Sequence, residues 1–192
     1  MKNDIHKILI LFGSPHPHGF TNKILKYVTN MLPKSQIIVK RAFEENIKPC
    51  IDCSFCKSNT ACTFDDMNEI YNLIETSDIM IIAFPVYNSS LPSPLKAIID
   101  RMQKYYNRKF FSKMNNSIIE PKNSLIITTQ GSNNYEINTL KAQLIPTLKL
   151  LNSREIYHIT VSGTDFDNFD MDKYFRKNEK NIKNTIHKLL NI

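Results

Sequence analysis

All four cysteines of this 192-residue chain lie close together, at Cys50, Cys53, Cys56 and Cys62. The resulting C-x2-C-x2-C-x5-C spacing is typical of metal ligands, because four thiolates in one short loop suit a 4Fe-4S cluster or a tetrahedral zinc ion. Thiols without a metal, either free or oxidised to disulfides, also fit the spacing. The cysteines therefore predict metal or redox chemistry and leave the cluster, zinc and metal-free alternatives open.

A second group of polar residues lies in segment 13–22, which reads GSPHPHGFTN. The segment precedes a helix-like stripe, and the N–H groups and dipole of a helix N-terminus attract anions. Ser14 and Thr21 add hydroxyl donors, and His16 adds a positive charge when it is protonated. Since the segment matches neither a G-x-G-x-x-G fingerprint nor a Walker loop, it predicts a phosphate site of another kind. Simple capping of the helix by the two hydroxyls is the alternative.

Alternating strand-like and helix-like stretches surround these two segments. Apolar runs predict five strands, at Lys7–Phe12, Gln36–Lys40, Ile79–Phe84, Ser124–Thr129 and Glu155–Val161. Apolar residues at helical spacing predict helices over about 20–32, 65–76, 91–102 and 137–148, and a polar helix begins near 170. The alternation implies an α/β fold with a doubly wound parallel sheet and helices on both faces. We expect one domain over 1–192, with the cysteine loop at 46–64 inserted after the second strand.

In such a sheet, ligands bind outside the carboxyl ends of the strands, where the strand order switches. The loops after the first, third and fourth predicted strands are therefore the places for a site. The long connection 105–123 carries no predicted helix or strand, but it contains the aromatic pairs Tyr105-Tyr106 and Phe110-Phe111.

The composition limits the classes of partner. The formal net charge is +7, but the basic residues are scattered and form no block of the kind that binds nucleic acid. No segment approaches the roughly 20 apolar residues that span a bilayer, and the first residues contain no apolar leader. We therefore expect no nucleic-acid or membrane partner and a cytoplasmic location.

Three short motifs together resemble the NAD(P)H-dependent FMN reductase branch of the flavodoxin-like superfamily. They are Gly13-Ser14-Pro15 with Thr21-Asn22, Ala83-Phe84-Pro85-Val86-Tyr87, and Leu95-Lys96-Ala97 with Asp100-Arg101. The resemblance covers roughly the first 135 residues. It implies a flavodoxin-like strand order 2-1-3-4-5, bound FMN and NAD(P)H as electron donor.

The resemblance also implies which residues bind FMN. The first loop would hold the phosphate through Ser14, His16, Gly19, Phe20, Thr21 and Asn22. The loops after the third and fourth strands would hold the ring through Pro85, Val86, Tyr87, Asn88, Ser89, Gln130, Gly131 and Ser132, with backbone N–H groups of 87–89 donating to the ring edge. The chain departs from the family pattern at His16, where Arg or Lys is usual, at Phe20, where Asn or Ser is usual, and at Gly131-Ser132, where Gly-Gly is commoner.

The cysteine loop resembles that of the iron–sulfur flavoproteins, a subgroup of the same branch in which a cluster passes single electrons to the flavin. Relatives without a cluster also carry a cysteine-containing loop that ends in Asp-Asp-Met, as Asp65-Asp66-Met67 does here. The resemblance therefore supports a 4Fe-4S cluster on Cys50, Cys53, Cys56 and Cys62 without excluding zinc or free thiols.

The implied function is an FMN-dependent oxidoreductase that passes electrons from NAD(P)H to a quinone, a nitro or azo compound, free flavin or a redox protein. Hydride transfer needs no protein acid or base, so no catalytic residue is predicted. The alternative is an electron carrier without a nicotinamide site. The family typically forms homodimers or homotetramers, and the aromatic stretch Tyr105–Phe111 is predicted to lie at an interface or in a lid.

Overall fold

The computed structural model describes residues 5–112, 119–132 and 137–191. Its centre is a five-stranded, wholly parallel sheet in the order β2-β1-β3-β4-β5. The strands are β1 (Lys7–Phe12), β2 (Gln36–Arg41), β3 (Ile79–Pro85), β4 (Lys122–Gln130) and β5 (Ser153–Ser162). β1, β3 and β4 are the inner strands, and because both of their faces are covered they appear in the sequence as continuous buried runs. The predicted fold class and strand order are confirmed.

Helices cover both faces of the sheet. They are α1 (Phe20–Thr29), α2 (Asn68–Thr76), α3 (Ser93–Asp100), α4 (Gln103–Phe110), α5 (Ile137–Leu150) and α6 (Met171–Leu190). One apolar core lies between the sheet and α1 and α6, and the other lies between the sheet and α2, α3, α4 and α5. The cysteine loop connects β2 to α2 and contains one short 3-10 turn, Phe55–Lys57. No helix in the described ranges combines the length and apolarity needed to cross a membrane.

The segment 105–123 differs from its prediction, because most of α4 and the start of β4 lie within it. Only Tyr105 and Asn107 of α4 are buried, so the helix has too narrow an apolar stripe to produce a periodic signal. α2 begins at Asn68 rather than near 65, since Asp66 is engaged with Arg101 instead of starting the helix. α3 begins after Pro92, whose ring disfavours helical backbone in the residue before it.

Lys122, the first residue of β4, is completely buried at the amino end of the sheet. Its Nζ donates to the carbonyl oxygen of Ser77 at 3.1 Å and to that of Glu120 at 2.8 Å. Burial disfavours the charged ammonium and lowers the pKa of Lys122 to about 8, although three nearby carboxylates act in the opposite direction. The folded state therefore holds this proton less tightly than the unfolded chain does.

This difference predicts a pH-dependent stability. Between pH 8 and about 10.5 the unfolded chain binds more protons at Lys122 than the folded chain, so this residue's contribution to the unfolding free energy rises with pH. The rise is about 3 kcal/mol over that window. Urea unfolding of Lys122→Met at several pH values should lack the rise, whereas Lys26→Met, at an exposed position of α1, should retain it. Parallel pH curves for the wild type and Lys122→Met would contradict the assignment.

Candidate active site

The loop that follows β1 is tied to the neighbouring strand. The Gly13 N–H donates to the Ala83 carbonyl oxygen at 2.8 Å, which extends the ladder between β1 and β3 by one residue. A Cβ on Gly13 would lie 2.6 Å from a methyl carbon of Leu95, so α3 packs directly on this backbone. The loop is thereby fixed where it leaves the sheet.

Beyond Gly13 the loop is held by its own hydrogen bonds. The Ser14 hydroxyl accepts from the His16 N–H at 3.2 Å, and the Asn22 side chain donates to the Pro17 carbonyl oxygen at 2.5 Å. Residues 15–18 are exposed, whereas Ser14 and Asn22 are buried. His16 therefore lies on the exposed part of the loop. The buried Ser14 and Asn22 side chains hold the loop in shape through their hydrogen bonds to its backbone.

The first turn of α1 is open to an anion. Gly19 is the N-cap, no side chain caps the helix and no acidic residue lies in the first turn. The N–H groups of Phe20 and Thr21 have no acceptor among the described residues, whereas the next two N–H groups both bond to the Gly19 carbonyl oxygen. Capping by Ser14 or Thr21, the alternative left by the sequence, is therefore wrong. Two free N–H groups and the positive end of the helix dipole suit a phosphate.

The Thr21 side chain does not point into open solvent. It is buried, and its hydroxyl oxygen lies 2.6 Å from the hydroxyl oxygen of Thr129 on β4. Either hydroxyl can donate in this pair, so Thr21 has a proton for another acceptor only when Thr129 is the donor. The pair's first role is to dock the start of α1 on the sheet.

The loop after β3 is a tight turn at the same edge. The N–H of Val86 donates to the Thr129 carbonyl oxygen at 2.8 Å, and Tyr87 and Ser90 exchange two backbone hydrogen bonds. Asn88 and Ser89 both have positive φ, 47° and 60°, as in a type I′ turn. The Tyr87 N–H is thus already bonded within the turn and is not a free donor for a ring. The Tyr87 side chain is 40% exposed.

The loop after β4 contains an unsatisfied acceptor. Gln130 is buried, and its amide nitrogen donates to the Ser162 hydroxyl at 3.0 Å and to the Ser132 carbonyl oxygen at 3.1 Å. The Gln130 Oε1 has no partner in the described part of the chain. Buried polar atoms are nearly always hydrogen-bonded, so this oxygen indicates a donor supplied by a ligand or by water.

Gly131 lies against the carboxylate of Asp165, which follows β5. A Cβ on Gly131 would lie 2.0 Å from the nearer carboxylate oxygen, so the absent side chain leaves room for Asp165. The family resemblance implied that Gly131 helps to hold the flavin ring, but the structure places a carboxylate beside it. The loop 13–22, the turn 86–90 and residues 130–131 nevertheless meet at one edge, through the contacts of Gly13 and Thr129 given above.

The cysteine loop forms a separate site. One small cavity is lined by all four cysteines together with Phe64, Arg101, Gln103, Lys104 and Asn107, among others. Cys56 is buried, Cys62 is partly buried, Cys50 and Cys53 are exposed, and none is in a disulfide. Within the described ranges no three Cys, His, Asp or Glu side chains are arranged to hold a metal ion. The thiols thus share one cavity without standing in ligand geometry.

Two residues at this cavity were not predicted as functional. Arg101 entered the sequence analysis only as part of the Asp100-Arg101 motif, and Asn107 lies in the helix that the sequence did not reveal. The side chain of Arg101 is fully buried, and the Asn107 amide donates to the Cys56 sulfur at 3.2 Å. The Asp-Arg pair that ends α3 was visible in the sequence, but its contacts depend on the path of a loop fifty residues earlier.

Residues 6–166 match the family model of the NADPH-dependent FMN reductases. The chain belongs to that family. An iron-sulfur flavoprotein of Archaeoglobus fulgidus is 33% identical over 105 residues, which cover 53% of this chain and 48% of that protein. An FMN-dependent NADH:quinone oxidoreductase of Pelagibacter ubique is 29% identical over 127 residues, 64% of each chain.

This family member spans about half the length of the iron-sulfur flavoproteins it matches. Among solved structures, a NAD(P)H:quinone oxidoreductase from Methanothermobacter marburgensis superimposes with a TM-score of 0.76 over 98% of both chains, at 14% identity. A likeness at that identity supports the flavodoxin-like fold and the strand order.

The buried hydroxyl pair predicts a coupled effect on stability. Thr21→Val or Thr129→Val alone leaves the partner hydroxyl buried without a hydrogen bond, so each should lower the unfolding free energy by about 1–3 kcal/mol. The double variant removes both polar groups and should lie closer to the wild type than the sum of the singles. Urea unfolding of the four proteins measures the coupling, and strictly additive losses would show that the hydroxyls do not interact.

Proposed function

We propose that this chain binds FMN at the carboxyl edge of its sheet and uses it to pass electrons from NAD(P)H to a small quinone, nitro or azo acceptor. The observation that carries the proposal is the uncapped first turn of α1, where the N–H groups of Phe20 and Thr21 have no acceptor in the part of the chain that the structure describes. Family membership narrows the anion that this turn would hold to the phosphate of FMN.

The phosphate would be bound mainly by the backbone. The two free N–H groups lie at the positive end of the α1 dipole, and His16 on the exposed loop adds a charge when protonated. Ser14 and Asn22 would contribute by holding the loop in shape, given their hydrogen bonds within it. Gly19 sets the direction in which the chain enters the helix.

The flavin ring would lie against the turn 86–90 and the loop after β4. The orphaned Oε1 of Gln130 suits the imide N–H of an isoalloxazine ring, which is a donor in need of an acceptor. The Asn88 N–H suits the acceptor edge of the ring. The Tyr87 N–H of the same turn already donates to the Ser90 carbonyl oxygen. Pro85 and Val86 fix the turn on β4, and the half-exposed Tyr87 is placed to pack on a ring.

FMN, when bound, supplies the chemistry, since it accepts a hydride and releases electrons one or two at a time. The residues of this chain bind and orient it, and no side chain needs to act as an acid or base. The relative from Pelagibacter ubique, whose name describes a quinone reductase, makes a quinone the first acceptor to test.

A second function is favoured by the cysteine cavity. Four thiols on one cavity are the donor set of a 4Fe-4S cluster, and Cys50, Cys53, Cys56 and Cys62 would be its ligands. Since they are not in ligand geometry, the loop must close around the metal. With such a cluster the protein would exchange single electrons with a redox partner. If such a carrier lacks a nicotinamide site, it would not oxidise NAD(P)H at steady state, and this separates the two functions.

The backbone phosphate site can be tested with proline. Position 20 is the first residue of the helix, where proline fits, and Gly19 has the extended backbone that precedes proline readily. Phe20→Pro removes the ring and the N–H group, whereas Phe20→Ala removes the ring alone. Phe20→Pro should therefore bind FMN about 10- to 100-fold more weakly than Phe20→Ala, as expected for a lost hydrogen bond to a charged group.

Riboflavin, which has no phosphate, provides the control for that comparison. Its affinity should be the same in both variants, measured by quenching of flavin fluorescence. The FMN-loaded wild type should oxidise NADH or NADPH with a quinone or azo dye as acceptor, and Phe20→Pro should need more FMN for the same rate. Equal FMN affinities for Phe20→Pro and Phe20→Ala would show that the phosphate does not bind at this helix end. Absence of steady-state NAD(P)H oxidation by the FMN-loaded wild type would favour the electron-carrier function.

We also propose that the chain forms at least a homodimer. The surface of α4 carries an aromatic patch, defined as Tyr106, Phe110 and Phe111, which are 43%, 56% and 55% exposed. Tyr106 and Phe110 also line a groove of about 540 Å³ against α5. Tyr105, which we grouped with them from the sequence, is buried and donates to Glu75, so it is not part of this surface. Aromatic side chains exposed in this number are typical of interfaces.

Replacing the aromatic patch should shift the assembly state. Phe110→Ser/Phe111→Ser should reduce the mass measured by light scattering at micromolar concentration, because the apolar area that drives association is lost. Phe166→Ser removes a ring that is 51% exposed on another surface and should leave the mass unchanged. A monomeric wild type would show that the chain does not form a dimer. A double variant with the mass of the wild type would show that the interface lies elsewhere.

A further inference from the structure

The two ends of the cysteine loop are joined by one buried side chain, that of Arg101. Its Nη1 donates to the Lys48 carbonyl oxygen at 2.9 Å, and its Nη2 donates to the Phe64 carbonyl oxygen at 3.3 Å. The same Nη2 lies 2.9 Å from Oδ1 of Asp66, and the guanidinium carbon lies 5.1 Å from the centre of the Phe64 ring. The planar guanidinium thus contacts both the segment that enters the loop and the segment that leaves it.

A second contact joins the same two ends of the cysteine loop, Lys48 and Phe64–Asp66, which we call the neck. The other carboxylate oxygen of Asp66 accepts from the Lys48 N–H at 2.8 Å, so Lys48 and Asp66 are linked directly as well as through Arg101. Arg101 is itself held in place, because the hydroxyl of Tyr71 on α2 donates to its carbonyl oxygen at 3.0 Å. Its guanidinium bonds to Lys48, Phe64 and Asp66, and it also interacts electrostatically with Tyr71. The guanidinium therefore joins the residues at the two ends of the cysteine loop.

The neck lies close in sequence to the first and last cysteines of the motif. Cys50 lies two residues inside the Lys48 end, and Cys62 lies two residues inside the Phe64 end. A fixed neck therefore fixes the separation of the first and last cysteines of the motif. Without it, the eleven residues between Cys50 and Cys62 would have to be ordered when a metal binds, and ordering backbone opposes binding.

A third contact fixes the middle of the loop. Asn107, which is 1% exposed, donates from Nδ2 to the Cys56 sulfur at 3.2 Å. Its Oδ1 accepts from the Gln103 side chain at 3.3 Å, which sets the orientation of the amide so that its N–H group faces the sulfur. An N–H group aimed at a sulfur stabilises negative charge there, and such contacts orient metal ligands.

We propose that Arg101 and Asn107 are positioning residues for the four thiols: Arg101 closes the neck of the loop and Asn107 fixes Cys56, so that a metal can recruit the two exposed cysteines. The proposal rests on the cysteine site described under the proposed function and is independent of FMN. It assigns a role in metal binding to a buried arginine whose hydrogen bonds and ion pair join the two ends of the cysteine loop.

Cobalt(II) alone is the probe, added anaerobically to the reduced, metal-free full chain. Thiolate ligation of cobalt gives charge-transfer and d–d absorption bands, which report how many sulfurs bind. The wild type should show the spectrum of a four-thiolate site. Arg101→Lys keeps the charge but loses the fork, and Asn107→Leu keeps the size but loses the donor. Each should weaken cobalt binding about 10- to 100-fold, as loss of contacts behind metal ligands typically does.

Matched exchanges at residues that do not line the cavity serve as controls. Arg41→Lys alters a guanidinium that lies 4.0 Å from a Glu44 carboxylate oxygen and 4.9 Å from the centre of the Phe12 ring. Asn178→Leu removes an amide that donates to the Tyr174 carbonyl oxygen on α6. Both should bind cobalt like the wild type. All four variants should keep the FMN affinity of the wild type, since none of the changed residues lies on the FMN loops.

Two outcomes would overturn the proposal. Unchanged cobalt affinity and spectrum in both Arg101→Lys and Asn107→Leu would show that these contacts do not position the thiols. A wild type that binds no cobalt through its cysteines would show that the loop is not a metal site, while FMN binding and NAD(P)H oxidation would stand unaffected. If Asn107→Leu loses FMN binding together with cobalt binding, that variant has a general folding defect, and the cobalt affinity of Arg101→Lys decides the test.

Discussion

The placement of β3 between β1 and β4 is the constraint on which the candidate site depends. Because the three strands are parallel, their carboxyl ends must lie at one edge, and the loops that follow them must meet there. The ladder extends past the strands themselves, through the hydrogen bonds of Gly13 to Ala83 and of Val86 to Thr129. Those bonds hold the first residue of each loop, so the loops leave the sheet from fixed positions.

Docking of α1 on this edge then determines which groups face a ligand. The Thr21–Thr129 hydroxyl pair is made by the second residue of the helix, so the helix end is anchored within one turn of its free N–H groups. A donor set that is fixed before binding loses little entropy when a phosphate arrives. The absence of acidic residues in that turn leaves the attraction of the dipole unopposed.

The cysteine cavity is built from different parts of the chain. Its floor is the junction of α3 and α4, and its walls are the loop between β2 and α2. Arg101 is the C-cap of α3, the helix that packs on Gly13 through Leu95, so one helix contacts both candidate sites. The two sites are thus linked through a rigid element but share no side chain among those that the proposals use.

The local pattern of apolar residues was sufficient to predict the strands of the sheet. The apolar runs that became β1 and β3 could be recognised because strands buried on both faces contain few polar residues, and the family motifs then gave the strand order. The ends of elements shifted by a few residues where a side chain had a distant partner, as Asp66 has in Arg101. α4 was missed because a mostly exposed helix with a narrow buried stripe carries no clear period.

What the sequence determined by itself was the set of chemical groups: four thiols at ligand spacing, a helix start rich in donors, and three loops that parallel topology brings together. Which of these groups are free was decided by the tertiary structure. The Thr21 hydroxyl is engaged by Thr129, the Tyr87 N–H is engaged by Ser90, and the place beside Gly131 is taken by Asp165. Thr129 and Asp165 come from distant parts of the chain, and contacts between distant segments leave no local pattern in a sequence. The Tyr87–Ser90 bond lies within one turn, whose backbone conformation was not predicted from the sequence.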